Sequence, residues 1–459
     1  MSTLIIISTL PILLLYLGLY KAQKALLPVT IVGLLVALGC AVAQWNNSAQ
    51  PIYHGMMLFD NFSIAFSGIT IVSTMLIVLL SRGYFEKISN HIAEYYAIIL
   101  FSLAGIIVMV SFYNLTMLFI GIEIMSVSLY ILAGIKKSDF ASNEAALKYF
   151  LMGAFSTGFL LFGITLIYGA SGSFNLEVIR NWVVDHPRNI DPIFYCGILL
   201  IIIGLCFKVG AAPFHFWTPD VYEGSPTLIT AFMSTVVKTA GFAAFLRLFT
   251  VCFAPISDFW VPVLLVITII TLFIGNITAL YQQSFKRMLA FSSISHAGYL
   301  LFAIVALGAS SSNSVFMYAT AYSIASIIAF GALILVQQQS GSDSFDSFNG
   351  LSKKNPFLAL VLTISMLSLA GIPLTAGFIG KFFMFSAALR QYQVLLVILA
   401  VVNAIISIFY YFRVIIAMYF RDLDREELVI PAYYKFVLGI SALITIIIGI
   451  YPGFISSLI

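Results

Sequence analysis

Gly204-Leu-Cys-Phe-Lys-Val-Gly-Ala-Ala-Pro-Phe-His-Phe-Trp-Thr-Pro-Asp-Val-Tyr-Glu-Gly-Ser-Pro226 is the stretch whose reading decides the fold. It opens as the end of an apolar run, Ile193 to Phe207, and then places Lys208 where hydrocarbon is expected. Gly210 and Pro213 follow at once, and both weaken or break a helix. The segment continues through His215 and leaves by Asp220 and Glu223. A charge inside a membrane helix, next to a helix break, marks an ion or substrate path.

The chain around it fits a membrane. Of 459 residues, 61% are hydrophobic and 9% charged, against roughly 25% charged in soluble domains. A span needs about 20 apolar residues. Fourteen segments qualify: 3–20, 26–44, 61–81, 94–112, 115–134, 145–169, 193–216, 226–252, 259–281, 286–307, 313–338, 356–389, 392–419 and 433–456. The expected fold class is an all-α integral membrane protein. The longest polar insertion, Ser171 to Asp191, contains an amphipathic piece at Leu176 to Val184. The start, Met1-Ser-Thr-Leu-Ile, has no basic n-region, so Leu4 to Tyr20 reads as a retained span.

Several function classes are excluded. Cys40, Cys196, Cys206 and Cys252 are isolated, which argues against metal clusters and disulfides. Neither a P-loop nor a strand-borne GxGxxG is present, so no nucleotide or dinucleotide site is expected in this chain. No basic patch interleaved with exposed aromatics suggests nucleic acid; the expected surrounding is the lipid bilayer.

With fourteen spans both termini share one side. The loops opposite carry Lys21, Lys24, Arg82, Lys87, Lys136, Lys137, Lys286, Arg287, Lys353, Lys354, Arg421, Arg425 and Lys435. The loops on the side of the termini carry mainly Arg180 and Arg188, with Arg390 close by. Positive residues concentrate in the cytoplasm, so both termini are expected outside.

A second span is also too long and interrupted: Leu369-Ala-Gly-Ile-Pro-Leu-Thr-Ala-Gly-Phe-Ile-Gly-Lys381. Gly371, Pro373, Gly377 and Gly380 are the expected breakers, and again a lysine stands beside them. Lys208 and Lys381 are 173 residues apart, as are Glu123 and His296. That spacing predicts that spans four to eight repeat as spans nine to thirteen. An odd number of spans per unit inverts the second copy. The expected division is 1–93, a three-helix segment; 94–252 and 259–419, two inverted five-helix repeats; and 420–459, a final helix.

Glu123, Lys148, Lys208, Lys238, His296 and Lys381 fall inside spans, where each charge costs roughly 2.5–3.5 kcal/mol or more at the bilayer centre. Burial lowers a lysine's proton affinity and a nearby carboxylate restores it, so a buried lysine can take up and release protons where arginine cannot. Structural alternatives stand beside each candidate. Glu123 can serve as an ion-pair partner, and Lys148 can pair with Glu144 one turn earlier. Lys208 and Lys381 can bond carbonyls freed at the breaks. His296 can be a satisfied bundle histidine, and His215 is a secondary candidate of the same ambiguity. Lys238, in Ser234-Thr-Val-Val-Lys-Thr, has no local partner.

Taken together these residues resemble the antiporter-like membrane subunits of respiratory complex I, the proton-pumping NADH:quinone oxidoreductase. The resemblance rests on Glu123, Lys148, Lys208-Val-Gly-Ala-Ala-Pro-Phe-His215-Phe-Trp, Lys238, Ser-Ile-Ser-His296 and Lys381. Fourteen spans and Lys381 fit the subunit type that lacks extra C-terminal spans and a lateral helix. The resemblance implies proton translocation through those buried residues, a bacterial inner-membrane location, and other membrane-arm subunits as partners. It implies no cofactor in this chain: FMN, iron–sulfur clusters, NADH and quinone belong to the assembled complex. The alternative it leaves open is a subunit of an Mrp-type cation/proton antiporter without redox partners. One departure from strict repetition is Tyr411, which stands 173 residues after Lys238, with Arg413 nearby.

Overall fold

The computed structural model describes residues 1–46, 50–89, 91–186, 190–306, 311–390, 393–422 and 429–453. Helices account for the architecture: α1 (Ser2–Leu19), α2 (Gln23–Val42), α3 (Asn61–Leu80), α4 (Ile92–Val110), α5 (Leu115–Ala133), α6 (Phe140–Ser171), α7 (Leu176–Asp185), α8 (Pro192–Val209), α9 (Trp217–Gly224), α10 (Thr227–Phe232), α11 (Lys238–Arg247), α12 (Ser257–Leu280), α13 (Phe285–Val305), α14 (Ser311–Ser340), α15 (Leu351–Lys354), α16 (Pro356–Ala370), α17 (Ala376–Arg390), α18 (Val394–Phe420) and α19 (Ala432–Ile450). Among the described residues, thirteen helical stretches are long and apolar enough to cross a membrane; α16 is a shorter apolar helix. With α17 it forms the broken crossing expected at 356–389. The amphipathic insertion is α7.

Helices are the natural answer to a hydrocarbon solvent, because every backbone N–H and C=O must be satisfied within the protein. First-turn donors at several ends are met by side chains: Asp60, Asn114, Asp139, Asn175, Asp191, Ser284 and Asn355 each cap the helix that follows. The stretch 227–252, α13 and α14 are enclosed by protein along their length, while α1 and α2 are mostly exposed. Lys238 in 227–252 and His296 on α13 are accordingly enclosed in the bundle, while Arg287, in the first turn of α13, stays a third exposed. The stretch 227–252 is not uniform: π-helical turns at Met233–Val237 and Leu248–Cys252 flank α11.

Five spans, from α4 to α11, are followed by five more, from α12 to α18. In both sets the first two helices approach closely at a glycine. A Cβ on Gly105 of α4 would lie 2.8 Å from the carbonyl oxygen of Gly121 on α5. One on Gly275 of α12 would lie 2.5 Å from the backbone nitrogen of Ser295 on α13.

The two breaks begin identically. Gly210 ends α8 at φ 70° and Gly371 ends α16 at φ 84°, the left-handed region glycine enters without a Cβ penalty. The amides of Gly210 and Ala211 bond the carbonyls of Phe207 and Cys206. Those of Gly371 and Ile372 bond Ser368 and Leu367 in the same pattern, the Schellman motif. The breaks are thus 161 residues apart, not 173. Lys208 precedes its break by two residues and Lys381 follows its own by ten. Gly377 and Gly380 are not breakers; both lie inside α17. Gly377 is required by crowding, since a Cβ there would sit 1.8 Å from the carbonyl oxygen of Ser368.

Candidate functional site

Of the four lysines expected inside spans, three are buried in the bundle. Lys208, Lys238 and Lys381 are 6%, 3% and 4% exposed. Lys208, in the last turn of α8, donates to Ser126 Oγ at 2.5 Å and lies over the Tyr130 ring at 5.8 Å. Lys238 opens α11 immediately after a π turn and reaches across to α13. It donates to the carbonyl oxygen of Ser293 at 2.6 Å and to Ser293 Oγ at 3.1 Å. Lys381 folds back onto the broken end of α16, donating to the carbonyls of Leu369 at 3.2 Å and Ala370 at 2.8 Å. Its Nζ lies 4.9 Å from the centre of the Tyr299 ring, a cation–π distance. The structure therefore contains the carbonyl ties foreseen for Lys381, while Lys208 bonds a serine.

Glu123, on α5, is half-buried, and its Oε1 is enclosed without a hydrogen-bond partner. It lies within electrostatic reach of Lys208, but no direct ion pair joins them among the described residues. Ser126, one turn further along α5, takes the lysine instead.

His296, on α13, is buried between phenols. Its Nδ1 is 2.6 Å from Tyr318 Oη and its Nε2 3.0 Å from Tyr411 Oη. Tyr411 Oη also bonds Ser292 Oγ. Lys238 and Lys381 are both within electrostatic reach of the imidazole. His215, in the break after α8, is buried against Phe216, and its Nδ1 has no partner.

Lys148 lies apart from this interior row. Its side chain is 41% exposed and pairs with Glu144 at 2.8 Å and Asp220 of α9 at 2.9 Å. Asp220 continues to Arg287 at 3.1 Å, and Arg287 to Glu223. This network ties α6, α9 and α13 together. Beside it a cleft of about 370 Å³ is lined by Tyr84, Lys136, Glu223, Lys286 and Gln337, among others.

A model of the NADH:quinone oxidoreductase/Mrp antiporter transmembrane family matches residues 112–407. The NADH-quinone oxidoreductase subunit N of Flavobacterium psychrophilum is 41% identical over all of both chains. That of Cytophaga hutchinsonii is 42% identical over 98% of each. The chain belongs to the NADH-quinone oxidoreductase subunit N family. Among solved structures, a chain of Thermus thermophilus respiratory complex I with bound aureothin superposes with a TM-score of 0.85, at 32% identity over 99% of this chain and 98% of that one. A chain of the Mrp complex from Dietzia superposes with a TM-score of 0.89 at 19% identity, covering 100% of this chain and 95% of that one; this shows a shared fold alone. The Mrp alternative thus has less support than the subunit N reading.

For a subunit N family member, sequence reasoning missed the neutral partners. Ser126, Ser292, Ser293, Tyr318 and Tyr411 hold the titratable groups, yet serine and tyrosine are ordinary in membrane helices. Weak signals existed. Ser126 follows Glu123 by one turn, Ser292 and Ser293 precede His296 by four and three residues, and Tyr411 stands one repeat length after Lys238. Lys286, read as a loop charge, is buried and donates to the carbonyls of Glu223 at 2.9 Å and Ser225 at 2.5 Å.

Proposed function

We propose that this chain translocates protons across a bacterial inner membrane as a membrane-arm subunit of NADH:quinone oxidoreductase. Glu123, Lys208, Lys238, His296 and Lys381 form the interior path, and Lys148 and His215 stand at its inner end. The supporting observation is that three buried lysines bond only hydroxyl and carbonyl oxygens. Among the described residues none of them has a carboxylate within ion-pair distance. A fixed, unpaired ammonium inside a membrane bundle is costly, so these groups suit a site that loads and empties.

In this reading Glu123 raises the proton affinity of Lys208 by attraction, and charge movement in a neighbouring subunit alters that attraction. The first repeat, 94–252, opens to the cytoplasm near Lys208. The second, 259–419, opens outward near Lys381, where the break exposes carbonyls that need water or protein partners. Both termini face the periplasm. NADH oxidation, FMN, the iron–sulfur clusters and quinone reduction belong to other subunits, which drive this one through the membrane arm.

The decisive experiment replaces Lys381 in the assembled complex, reconstituted in vesicles, and measures NADH oxidation and the proton gradient together. Arginine keeps the donors that tie down α16 but does not release its proton. A relay role predicts a large pumping loss in Lys381→Ala and Lys381→Arg, with partial recovery in Lys381→Glu, which titrates. Full pumping in Lys381→Arg would reduce Lys381 to a tether and remove it from the path.

A further inference from the structure

The stretch Ser292-Ser-Ile-Ser-His296 on α13 receives the two repeats on adjacent residues. From the first repeat, Lys238 reaches Ser293. From the second, Tyr411 reaches Ser292. Tyr411 then bonds His296 Nε2, whose other ring nitrogen bonds Tyr318. Ser292, Tyr411, His296 and Tyr318 are all buried, and none touches a carboxylate or a lysine amine among the bonds described.

A neutral imidazole has one N–H donor and one acceptor nitrogen. Flanked by two phenols, it must accept from one and donate to the other. Reversing both bonds exchanges the tautomer and turns the Tyr318 proton away from the histidine. We infer that Tyr411 and Tyr318 are further proton-carrying groups, which make His296 a two-sided bridge between Lys238 and Lys381. This rests on the proton-translocating reading above.

The step balances without leaving charge behind. The Ser292 hydroxyl passes its proton to the Tyr411 oxygen as the Tyr411 proton moves to His296 Nε2. The Nδ1 proton moves to the Tyr318 oxygen, and the original Tyr318 proton leaves toward Lys381. Ser292 is reprotonated from the Lys238 side. One proton enters, one leaves, and each group ends neutral. Rotation of the hydroxyls and return of the tautomer reset the chain. Tyr318 leads toward Lys381 by way of Tyr299: the Tyr318 and Tyr299 rings are 6.1 Å apart, and Lys381 Nζ lies 4.9 Å from the Tyr299 ring. The second repeat thereby carries a proton where the first uses a lysine, without the cost of another buried cation.

The test uses the assembled complex in proteoliposomes, reading the rate of proton uptake per NADH oxidised. Tyr411→Phe and Tyr318→Phe remove one oxygen each and keep the ring. Each should lower pumping through this subunit on the order of tenfold or more, the scale of a lost proton-transfer group. Tyr434→Phe is the control: Tyr434 is also buried, and its hydroxyl donates to the carbonyl of Leu80 at 2.8 Å, away from the histidine. A packing role predicts similar losses for Tyr434→Phe and Tyr411→Phe, and that result would overturn the inference. Should Tyr411→Phe fail to assemble, 3-fluorotyrosine at position 411 keeps the hydroxyl but changes its acidity. A shifted pumping rate supports the relay and an unchanged one overturns it. Lys381→Arg separates the two levels. Loss of pumping in Lys381→Arg with full pumping in Tyr411→Phe defeats this inference alone, whereas full pumping in both defeats the underlying reading.

Discussion

Replacing Ser126 with alanine isolates the contact that keeps Lys208 away from Glu123. The hydroxyl accepts from the ammonium at 2.5 Å and donates to the carbonyl of Ile122 one turn back. A hydrogen bond to a charged group contributes about 1.5–3 kcal/mol. Its loss shifts the balance between Lys208 held by Ser126 and Lys208 turned toward Glu123 by a factor on the order of ten to a hundred. The helix itself loses only a back-bond that slightly disfavours it, so assembly should survive. The assay is a double-mutant cycle on pumping rate with Ser126→Ala, Glu123→Gln and the pair, each rate converted to a free energy. In the native background Glu123→Gln removes a charge that Lys208 does not touch. In the alanine background Glu123 becomes the nearest remaining partner, so the same substitution should cost more. An interaction energy above about 0.5 kcal/mol is expected, the usual range for residues sharing one network. Additivity within about 0.3–0.5 kcal/mol would refute the idea that serine and glutamate compete for the lysine.

Two further outcomes bear on the scaffold. Arg247 is buried, bonds Asp60 at 2.5 Å and lies 4.8 Å from the Phe62 ring, which fastens α11 to α3. Asp60→Asn strands that charge and should cost about 3–5 kcal/mol, read as a lower thermal midpoint of the detergent-solubilised complex; Arg247→Met combined with Asp60→Asn should cost less than Asp60→Asn alone. Gly377→Ala drives a methyl group into the Ser368 carbonyl, an overpacking cost of 1–3 kcal/mol or more, and should cut the yield of assembled complex; normal yield would mean that α16 and α17 separate freely.

The spans were legible because hydrocarbon imposes a length and forbids unsatisfied backbone. The break after Lys208 was legible because Gly210 and Pro213 each carry a backbone constraint in their own chemistry. At the second break the same reasoning overcounted. Gly377 and Gly380 looked like breakers, yet both are helical, and the reason for Gly377 is a carbonyl on α16 that no local pattern reveals. The spacing of 173 pairs lysines on opposite sides of their breaks, because the breaks recur at 161 and the connections between them differ in length. Partners distant in sequence were invisible: Lys238 finds Ser293 across 55 residues and His296 finds Tyr411 across 115. Lys148 had one foreseeable partner in Glu144, but its tie to Asp220 depends on how α9 folds back after the break. The π turns around α11 left no mark, since their residues read as one continuous apolar span.

The nature of the lysine partners has a consequence for proton release. A lysine bound to a carboxylate can pass its proton on to a third group only by leaving a buried anion behind, a change of about 3–5 kcal/mol for a broken buried pair. Lys208, Lys238 and Lys381 are instead held by a hydroxyl, by a carbonyl and hydroxyl, and by two carbonyls. These oxygens do not titrate, and a neutral amine still donates to them. Both protonation states of each lysine are therefore satisfied in nearly the same geometry, so a proton can move without the helices having to part. Among the described residues Glu123 is the carboxylate near Lys208; it stands half-buried on α5 and bonds none of the three. In the proposed relay its charge biases Lys208 from there without trapping it, a control that a direct ion pair would lock.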